Sequence, residues 1–316
     1  MPLTKIFLKN ITGIVHYFRI YLIVQRIWKK LIVLISTICR KTLLLPINVY
    51  IPGNCNMPSD DIFFVDLHIH ATQSRKKPSG TMIADSQMHV ENIVKKAQEL
   101  GLHTVGVMEH VEPISKRHPW SEALHVQKLV KELKNQVDFK LMSGCEASII
   151  DFKGGLSASF EELKTANFDY VIASVHFPLP SIPKSIEEYH SLAIEMMISA
   201  IKNNPYIDII GHPWRDTPKI LKSLGINTPW DFGLIPGKDI KELAETAKNT
   251  GVVLEISRRC FEMTAYWDFL RATADAGAIF TIASDAHQWD GFNLILKEEI
   301  EMLKNVGINS DNLKVW

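Results

Sequence analysis

Short apolar runs recur along the chain from residue 62 onward, separated by segments with a helical spacing of apolar residues. The first run, at 62–65, has the length and composition of a buried β-strand, and the later runs resemble it. The helical segments carry apolar residues three and four positions apart, as at 86–100, which Gly101 ends. The strands are predicted at 62–66, 103–108, 139–143, 168–174, 207–210, 252–256 and 279–283.

The alternation of strand and helix predicts a parallel sheet. Each crossover between successive strands is long enough to complete a parallel βαβ unit. Seven units over about 260 residues favour a closed (β/α) barrel, in which the carboxyl ends of the strands converge on the face that carries active sites. Helices are predicted at 86–100, 121–133, 160–164, 186–203, 238–249, 264–276 and around 294–305, and 216–237 is predicted as a long loop with some helix.

Metal-type side chains follow six of the seven predicted strands, whereas the sixth strand supplies Glu255, Ser257 and Arg258. Imidazole and carboxylate donors together suit zinc, iron or manganese. Their number exceeds what one four-coordinate ion needs, so two or more ions are expected. Paired ions polarise a phosphoryl or carbonyl oxygen and lower the pKa of a bound water, which is hydrolytic chemistry. The donors are His68, His70, His110, Glu146, His176, His212, Asp285 and His287.

Charge is distributed unevenly along the chain. Residues 1–59 contain eight of the 35 basic residues and none of the 35 acidic ones, which leaves 35 − 8 = 27 bases against 35 acids, a net charge of −8, in the remainder. Such a body has no general attraction to nucleic acid, so a phosphate-bearing substrate must be bound by local cations or metal ions. The four cysteines show no paired spacing, and free thiols in a cytoplasmic protein are expected.

The N-terminal extension, 1–56, differs in character from the predicted barrel at 57–316. It is basic and apolar, but charged residues interrupt every stretch that could span a membrane. One interpretation is an amphipathic helix in which residues 1–50 lie on an anionic membrane surface. The other is that the extension is not part of the native protein, because Met57 stands just before the first strand and is a natural start for a compact domain.

The motifs, taken in order, resemble the polymerase and histidinol phosphatase (PHP) family. They are Asp-Leu-His-Ile-His at 66–70, Glu-His at 109–110, Gly-Cys-Glu at 144–146, Ser-Val-His at 174–176, Gly-His-Pro at 211–213 and Ser-Asp-Ala-His at 284–287. The resemblance implies a distorted (β/α)7 barrel with two or three divalent ions, and hydrolysis of phosphate esters by a metal-bound hydroxide. It assigns His68, His70, Glu146 and Asp285 to one ion, Glu146, His176 and His212 to a second, and His110 and His287 to a third, with Asp285, His287 and His110 as catalytic residues.

The loop after His70 departs from the family pattern. A further His or Asp ligand of the third ion is expected there, but Arg75 and Lys76 occupy that region. Either the third site is weak or empty and these cations bind the substrate phosphate, which we favour, or His89 replaces the missing ligand. The candidates for phosphate binding are Arg75, Lys76, Arg215 and Arg258, because a guanidinium fork matches phosphate oxygens, whereas Arg259 is interpreted as a solvated charge.

The sequence therefore predicts a metal-dependent phosphatase of small phosphate monoesters, similar to histidinol phosphatase. An amidohydrolase-type C–N hydrolase also uses a His-x-His pair, but the Glu-His after the second strand and the Asp-x-His ending argue against it. A nuclease is disfavoured because no basic stripe is visible. A non-catalytic metal-binding module stays open because the third site lacks a ligand.

Overall fold

A parallel β-sheet runs through the described part of this computed structural model, which comprises residues 61–71, 87–111, 120–176, 179–227 and 229–316. Seven strands of these residues pair in the order β1-β2-β4-β5-β6-β7-β8, and the short β3 pairs with β4. All of these pairings are parallel. The strands are β1 Val65–His70, β2 Thr104–Met108, β3 His110–Val111, β4 Lys140–Ser148, β5 Tyr170–Ser174, β6 Ile209–Ile210, β7 Val253–Ser257 and β8 Phe280–Ala283.

The first and last strands approach each other and nearly close the sheet into a barrel. Just beyond β8, the Ala286 amide donates to His68 O at 3.2 Å, and the His70 amide donates to Ala286 O at 2.9 Å. The barrel is also irregular between its first two strands, because the pairing of β1 with β2 shifts register between Asp66 and Ile69. The prediction of a distorted (β/α)7 barrel is confirmed.

Helices cover the connections between the strands. A long helix after β5 has the bounds predicted from its apolar spacing. The first helix begins later than predicted, because His89 is its N-cap in an extended conformation, and Gly101 ends it with a φ of 70°. The helices are α1 Val90–Leu100, α2 Trp120–Leu133, α3 Phe160–Ala166, α4 Ile186–Asn203, α5 Thr217–Ser223, α6 Gly237–Thr250, α7 Thr264–Asp275 and α8 Lys297–Asn305. The predicted long loop at 216–237 contains α5 and a 3₁₀ turn, Phe232–Leu234.

Two strands extend further toward the site than predicted. The first was expected at 62–66, but Asp61–Phe63 is a 3₁₀ turn and β1 continues to His70 with every residue buried. The strand expected at 139–143 runs to Ser148. In both cases the apolar run stops before the strand does, because the last inward-facing side chains are the polar ones of the cluster described below.

Tyr170 fills the barrel interior. Its ring lies against two glycines: a Cβ on Gly106 would come 2.0 Å from Tyr170 Oη, and a Cβ on Gly144 would come 2.4 Å from Cζ. The phenol donates a hydrogen bond to Leu67 O at 2.6 Å. Glycine in β2 and β4 therefore leaves the space for an aromatic ring whose hydroxyl fixes the backbone of β1 next to His68.

Residues 1–60 lie outside the described part, so both interpretations of the N-terminal extension, and the domain division at residue 56, stay predictions. Within the described residues, no helix has the length and apolar character needed to cross a membrane. Cys145 and Cys260 are buried free thiols, as expected.

Candidate metal centre

The eight predicted metal-type residues meet at the carboxyl ends of the strands. Their donor atoms form four sets, and within each set the atoms lie within 4.8 Å of one another. Three of the sets overlap and contain seven of the eight residues, and the fourth contains His212. Two of the residues come from β1 and the others from β3, from β4 and from the residues that follow β5, β6 and β8. The sets are His68, His70, Glu146 and Asp285; His110, Glu146 and His176; His70, His110 and His287; and His176, His212 and Asp216.

Glu146 is the centre of the cluster. Its Oε2 lies 3.2 Å from His68 Nε2, 3.4 Å from His70 Nε2 and 2.9 Å from His110 Nδ1. Its Oε1 lies 3.3 Å from His176 Nε2 and 3.0 Å from His212 Nε2. Each carboxylate oxygen thus faces a different group of imidazoles.

Asp285 is the second carboxylate. Its Oδ1 lies 3.3 Å from His68 Nε2 and 3.1 Å from His70 Nε2, so it completes the first predicted ligand set with Glu146. The backbone of Asp285 is left-handed, with a φ of 49°, and that of His212 is also left-handed at 30°. Such values are uncommon for residues other than glycine, and they turn these side chains back over the end of the barrel.

Three imidazoles form the outer part of the cluster. The ring of His70 stacks against His110 at 4.4 Å and against His287 at 4.0 Å between centroids. His287 Nδ1 donates to its neighbour Asp285 O at 3.1 Å, which leaves Nε2 as an acceptor. This set has three nitrogen donors and no carboxylate among the described residues.

The donor set fits divalent metal ions. Among the described residues, Glu146 Oε2 and Asp285 Oδ1 are buried without a hydrogen-bond partner, although imidazole nitrogens crowd around both. Two buried carboxylates so close together are costly unless a cation lies near them. Imidazole and carboxylate are ligands of zinc, iron and manganese. The geometry therefore fits divalent ions held between Glu146, Asp285 and the imidazoles around them.

The protonation of the cluster also favours cation binding. Burial lowers the pKa of His110 to about 3 and that of His287 to about 3, so both rings present a neutral lone pair at pH 7. Burial would raise the pKa of Glu146, but the imidazoles of His110, His68 and His176 hold it well below its usual value. Burial would lower the pKa of His68, but Glu255, Glu146 and Asp285 raise it well above normal. A metal ion bound at His68 Nε2 would thus replace a proton.

Two arginines reach the edge of the cluster. Arg215 Nη1 forms a close ion pair with Asp285 Oδ2, while Nε and Nη2 bind Asp216 at 3.2 and 3.3 Å. Arg259 Nη1 lies 3.4 Å from the same Asp285 oxygen, and its side chain is 50% exposed. Arg259 is therefore half-exposed to solvent and also an ion-pair partner of the cluster.

Arg258 has a different position from the one expected. Its guanidinium donates to the carbonyls of Asn293 and Leu294, the latter at 3.0 Å, and pairs with Glu299 at 3.1 Å. This network binds Arg258 to the segment before α8, so a role in phosphate binding would require those bonds to break. Arg75 and Lys76 lie outside the described residues, and the predictions for them stay predictions.

Several residues contact the site although the sequence assigned them no role in it. Asp216 joins His176 and His212 in one donor set, Glu255 contacts His68 Nδ1 at 2.6 Å, and Ser148 Oγ lies 3.0 Å from His176 Nδ1. The only sequence signal for Glu255 was an acid inside an otherwise apolar strand. His89, the alternative third-site ligand, belongs to none of the donor sets found among the described residues.

Known proteins resemble this chain in sequence and in fold. Residues 66–215 match the family model of the PHP domain. A probable phosphatase of Clostridium novyi is 25% identical over 80% of this chain and 93% of its own length. A probable phosphatase of Acetivibrio thermocellus is 26% identical over 76% and 88%, respectively. A crystal structure of histidinol phosphate phosphatase from Lactococcus lactis, complexed with zinc, L-histidinol and phosphate, superimposes with a TM-score of 0.52 at 19% identity and covers 78% of this chain and 94% of that one.

These similarities confirm the resemblance to the PHP family that the sequence motifs indicated. The PHP match covers the His-x-His pair, Glu146 and His212, and the Lactococcus structure has the same fold. The prediction of a metal-dependent phosphoesterase is confirmed at the level of the family.

Proposed function

We propose that this chain, which belongs to the PHP family, hydrolyses a phosphate monoester of a small metabolite with the help of two or three divalent ions. The single observation that carries the proposal is the cluster itself, in which six imidazoles and two carboxylates face one another with two guanidiniums at the edge. Anion-binding arginines beside a cation-binding centre suit a phosphoryl group, which needs both. The probable phosphatases of similar sequence support the same chemistry.

The side chains of the cluster would have different roles according to their positions. Glu146 and Asp285, with the imidazoles around them, would hold the ions, which when bound polarise the phosphoryl oxygens and lower the pKa of a water. Arg215 and Arg259 would bind the phosphoryl oxygens, because both already face a carboxylate oxygen of similar charge and size. His110 and His287, neutral at pH 7, hold their Nε2 atoms 3.4 Å apart at the outer side, where they can accept or relay a proton.

The substrate is open within the class of phosphorylated metabolites. Histidinol phosphate is one candidate, because the Lactococcus structure of the same fold holds L-histidinol and phosphate with zinc. Recognition of the organic part would fall to loops at the carboxyl ends of the strands. The predictions of a cytoplasmic location and of a peripheral membrane contact through 1–50 stay predictions.

A phosphate-release screen tests the proposal. The purified chain would be loaded with zinc, manganese or iron and offered phosphorylated metabolites, oligonucleotides and an amide substrate. We expect turnover of at least one small monoester. Release from oligonucleotides alone would favour a nuclease, amide cleavage alone an amidohydrolase, and no turnover a binding module, and each of these results would overturn the proposal.

Single substitutions connect any activity to the cluster. His68→Ala and Asp285→Ala should each abolish phosphate release with the fold retained, a loss larger than the about 10- to 100-fold typical of residues that only support a ligand. The matched control is His125→Ala, which removes an exposed histidine of α2 and should leave the rate unchanged. Full activity in either cluster variant would contradict the assignment.

A further inference from the structure

We infer that Glu255 is a positioning residue of the metal centre: it fixes the ring of His68 so that Nε2 faces the ion. This inference rests on the proposed function only in taking the cluster as a metal site, not in the identity of the reaction. Glu255 belongs to none of the donor sets, and neither the motifs nor the family likeness assigns it a role.

Glu255 reaches His68 across the barrel interior. The side chains of β7 alternate, with Leu254 and Ile256 in the hydrophobic core and Glu255 between them on the opposite face. Because β8 lies between β7 and β1 in the sheet, the contact is not one between neighbouring strands. It nevertheless measures 2.6 Å between Glu255 Oε2 and His68 Nδ1, with both side chains fully buried.

The chemistry of this contact fixes the state of the imidazole. A carboxylate can only accept hydrogen bonds, so Nδ1 of His68 must carry the hydrogen. Nε2 is then the nitrogen that points at Glu146 Oε2 and Asp285 Oδ1, at 3.2 and 3.3 Å. The lone pair of Nε2 then already points to the place where an ion would bind, and the carboxylate on the other side of the ring increases the basicity of this nitrogen.

The burial of Glu255 is hard to explain by stability alone. Removing a carboxylate from water is energetically costly, and one good contact only partly offsets this cost. Its second oxygen, Oε1, is buried and has no hydrogen-bond partner among the described residues. A residue needed only to fill the barrel interior would be apolar.

Three substitutions distinguish the effect of the hydrogen bond between Glu255 and His68 from the effect of the negative charge of Glu255. Glu255→Gln keeps an acceptor oxygen at the same reach but removes the charge. Glu255→Asp keeps the charge, but its side chain is one methylene shorter and withdraws from Nδ1. Glu255→Leu removes both. Asp239→Asn is the matched control, because it neutralises a buried carboxylate in α6 outside the donor sets.

The measured quantity is the zinc dissociation constant of the full-length chain, obtained by competition with a chromophoric chelator and checked by metal content per chain. We expect Glu255→Leu to weaken the tightest site by about 10- to 100-fold, and Glu255→Gln to retain more affinity than Glu255→Asp. The control should match the wild type. Circular dichroism and the melting temperature establish that each variant is folded.

The outcomes distinguish this inference from its rivals. Wild-type zinc affinity in a folded Glu255→Leu variant would overturn it, as would affinity in Glu255→Asp equal to or better than in Glu255→Gln. If Glu255→Leu does not fold, the Gln and Asp pair decides the matter. Because the readout is metal affinity, a chain that binds zinc normally but releases no phosphate would refute the proposed function and leave the role of Glu255 intact.

Discussion

Replacing Arg215 by methionine removes a guanidinium at the edge of the cluster while keeping a side chain of similar length. Asp216 holds one edge of the guanidinium through Nε and Nη2, at 3.2 and 3.3 Å, which leaves Nη1 directed at Asp285 Oδ2. The side chain is only 11% exposed. Nη1 is the guanidinium nitrogen that does not bind Asp216, so it is the donor that would reach a phosphate oxygen, and the variant loses one charge-assisted hydrogen bond to substrate.

A hydrogen bond to a charged group contributes about 1.5–3 kcal/mol. Since about 1.4 kcal/mol corresponds to a tenfold change in rate, Arg215→Met should lower kcat/KM for the best substrate by about 10- to 150-fold. Arg215→Lys keeps the charge but cannot hold Asp216 with the same fork, so an intermediate loss is expected. The Asp216 pairing is what makes lysine a poor replacement.

The assay is steady-state phosphate release by metal-loaded protein. Metal content is measured in every variant, because Arg215 also neighbours a proposed ligand. Arg271→Met, which removes an exposed arginine of α7, is the control and should match the wild type. A kcat/KM of Arg215→Met within twofold of the wild type at equal metal content would refute the assignment of Arg215 to phosphate binding.

Two further predictions concern the framework of the site. Asp66 Oδ1 accepts hydrogen bonds from the backbone amides of His68 and Ser284 at 3.2 and 3.1 Å. Asp66→Asn keeps an acceptor oxygen and should retain most of the zinc affinity, whereas Asp66→Ala should lose it. An equal loss of affinity in both variants would show that the charge of Asp66 matters and not its hydrogen bonds. Ser159 caps α3 in a capping box with Glu162, and Ser159→Ala should lower the free energy of unfolding by about 1 kcal/mol in urea titrations at pH 7. The Ser159 hydroxyl bond lowers the pKa of Glu162, so this bond stabilises the ionised form, and part of the difference should disappear as the pH falls through that pKa; a constant difference would contradict this.

The metal-type residues could be predicted because of where they stand in the chain. In a parallel barrel, a polar residue that ends an apolar run lies at the carboxyl edge whatever the helices do, so chain order alone brings His68 and Asp285 to one place. All eight predicted donors are in the cluster for this reason. The bounds of β1 and β4 could not be predicted from the same runs, since their inward-facing ends are the ligands themselves.

The two arginines after β7 show what only the tertiary structure decided. Arg258 and Arg259 are neighbours in the sequence, but they lie in a 3₁₀ turn, Arg258–Cys260, whose successive side chains point in different directions. One guanidinium turns toward Glu299 and the other toward Asp285. The direction of each depends on how this turn packs against the segment before α8, which no local pattern encodes.

The sequence by itself determined the fold class, the order of the strands and the identity of the metal-type donors, because these follow from local periodicity and from the geometry common to parallel barrels. Only the tertiary structure decided which atoms face one another. It brought Glu146 Oε2 within 2.9 Å of His110 and Glu146 Oε1 within 3.0 Å of His212, and it placed Glu255 behind His68. Such pairings depend on side-chain directions across the barrel, to within about an ångström, and these are set by packing contacts between residues far apart in the chain.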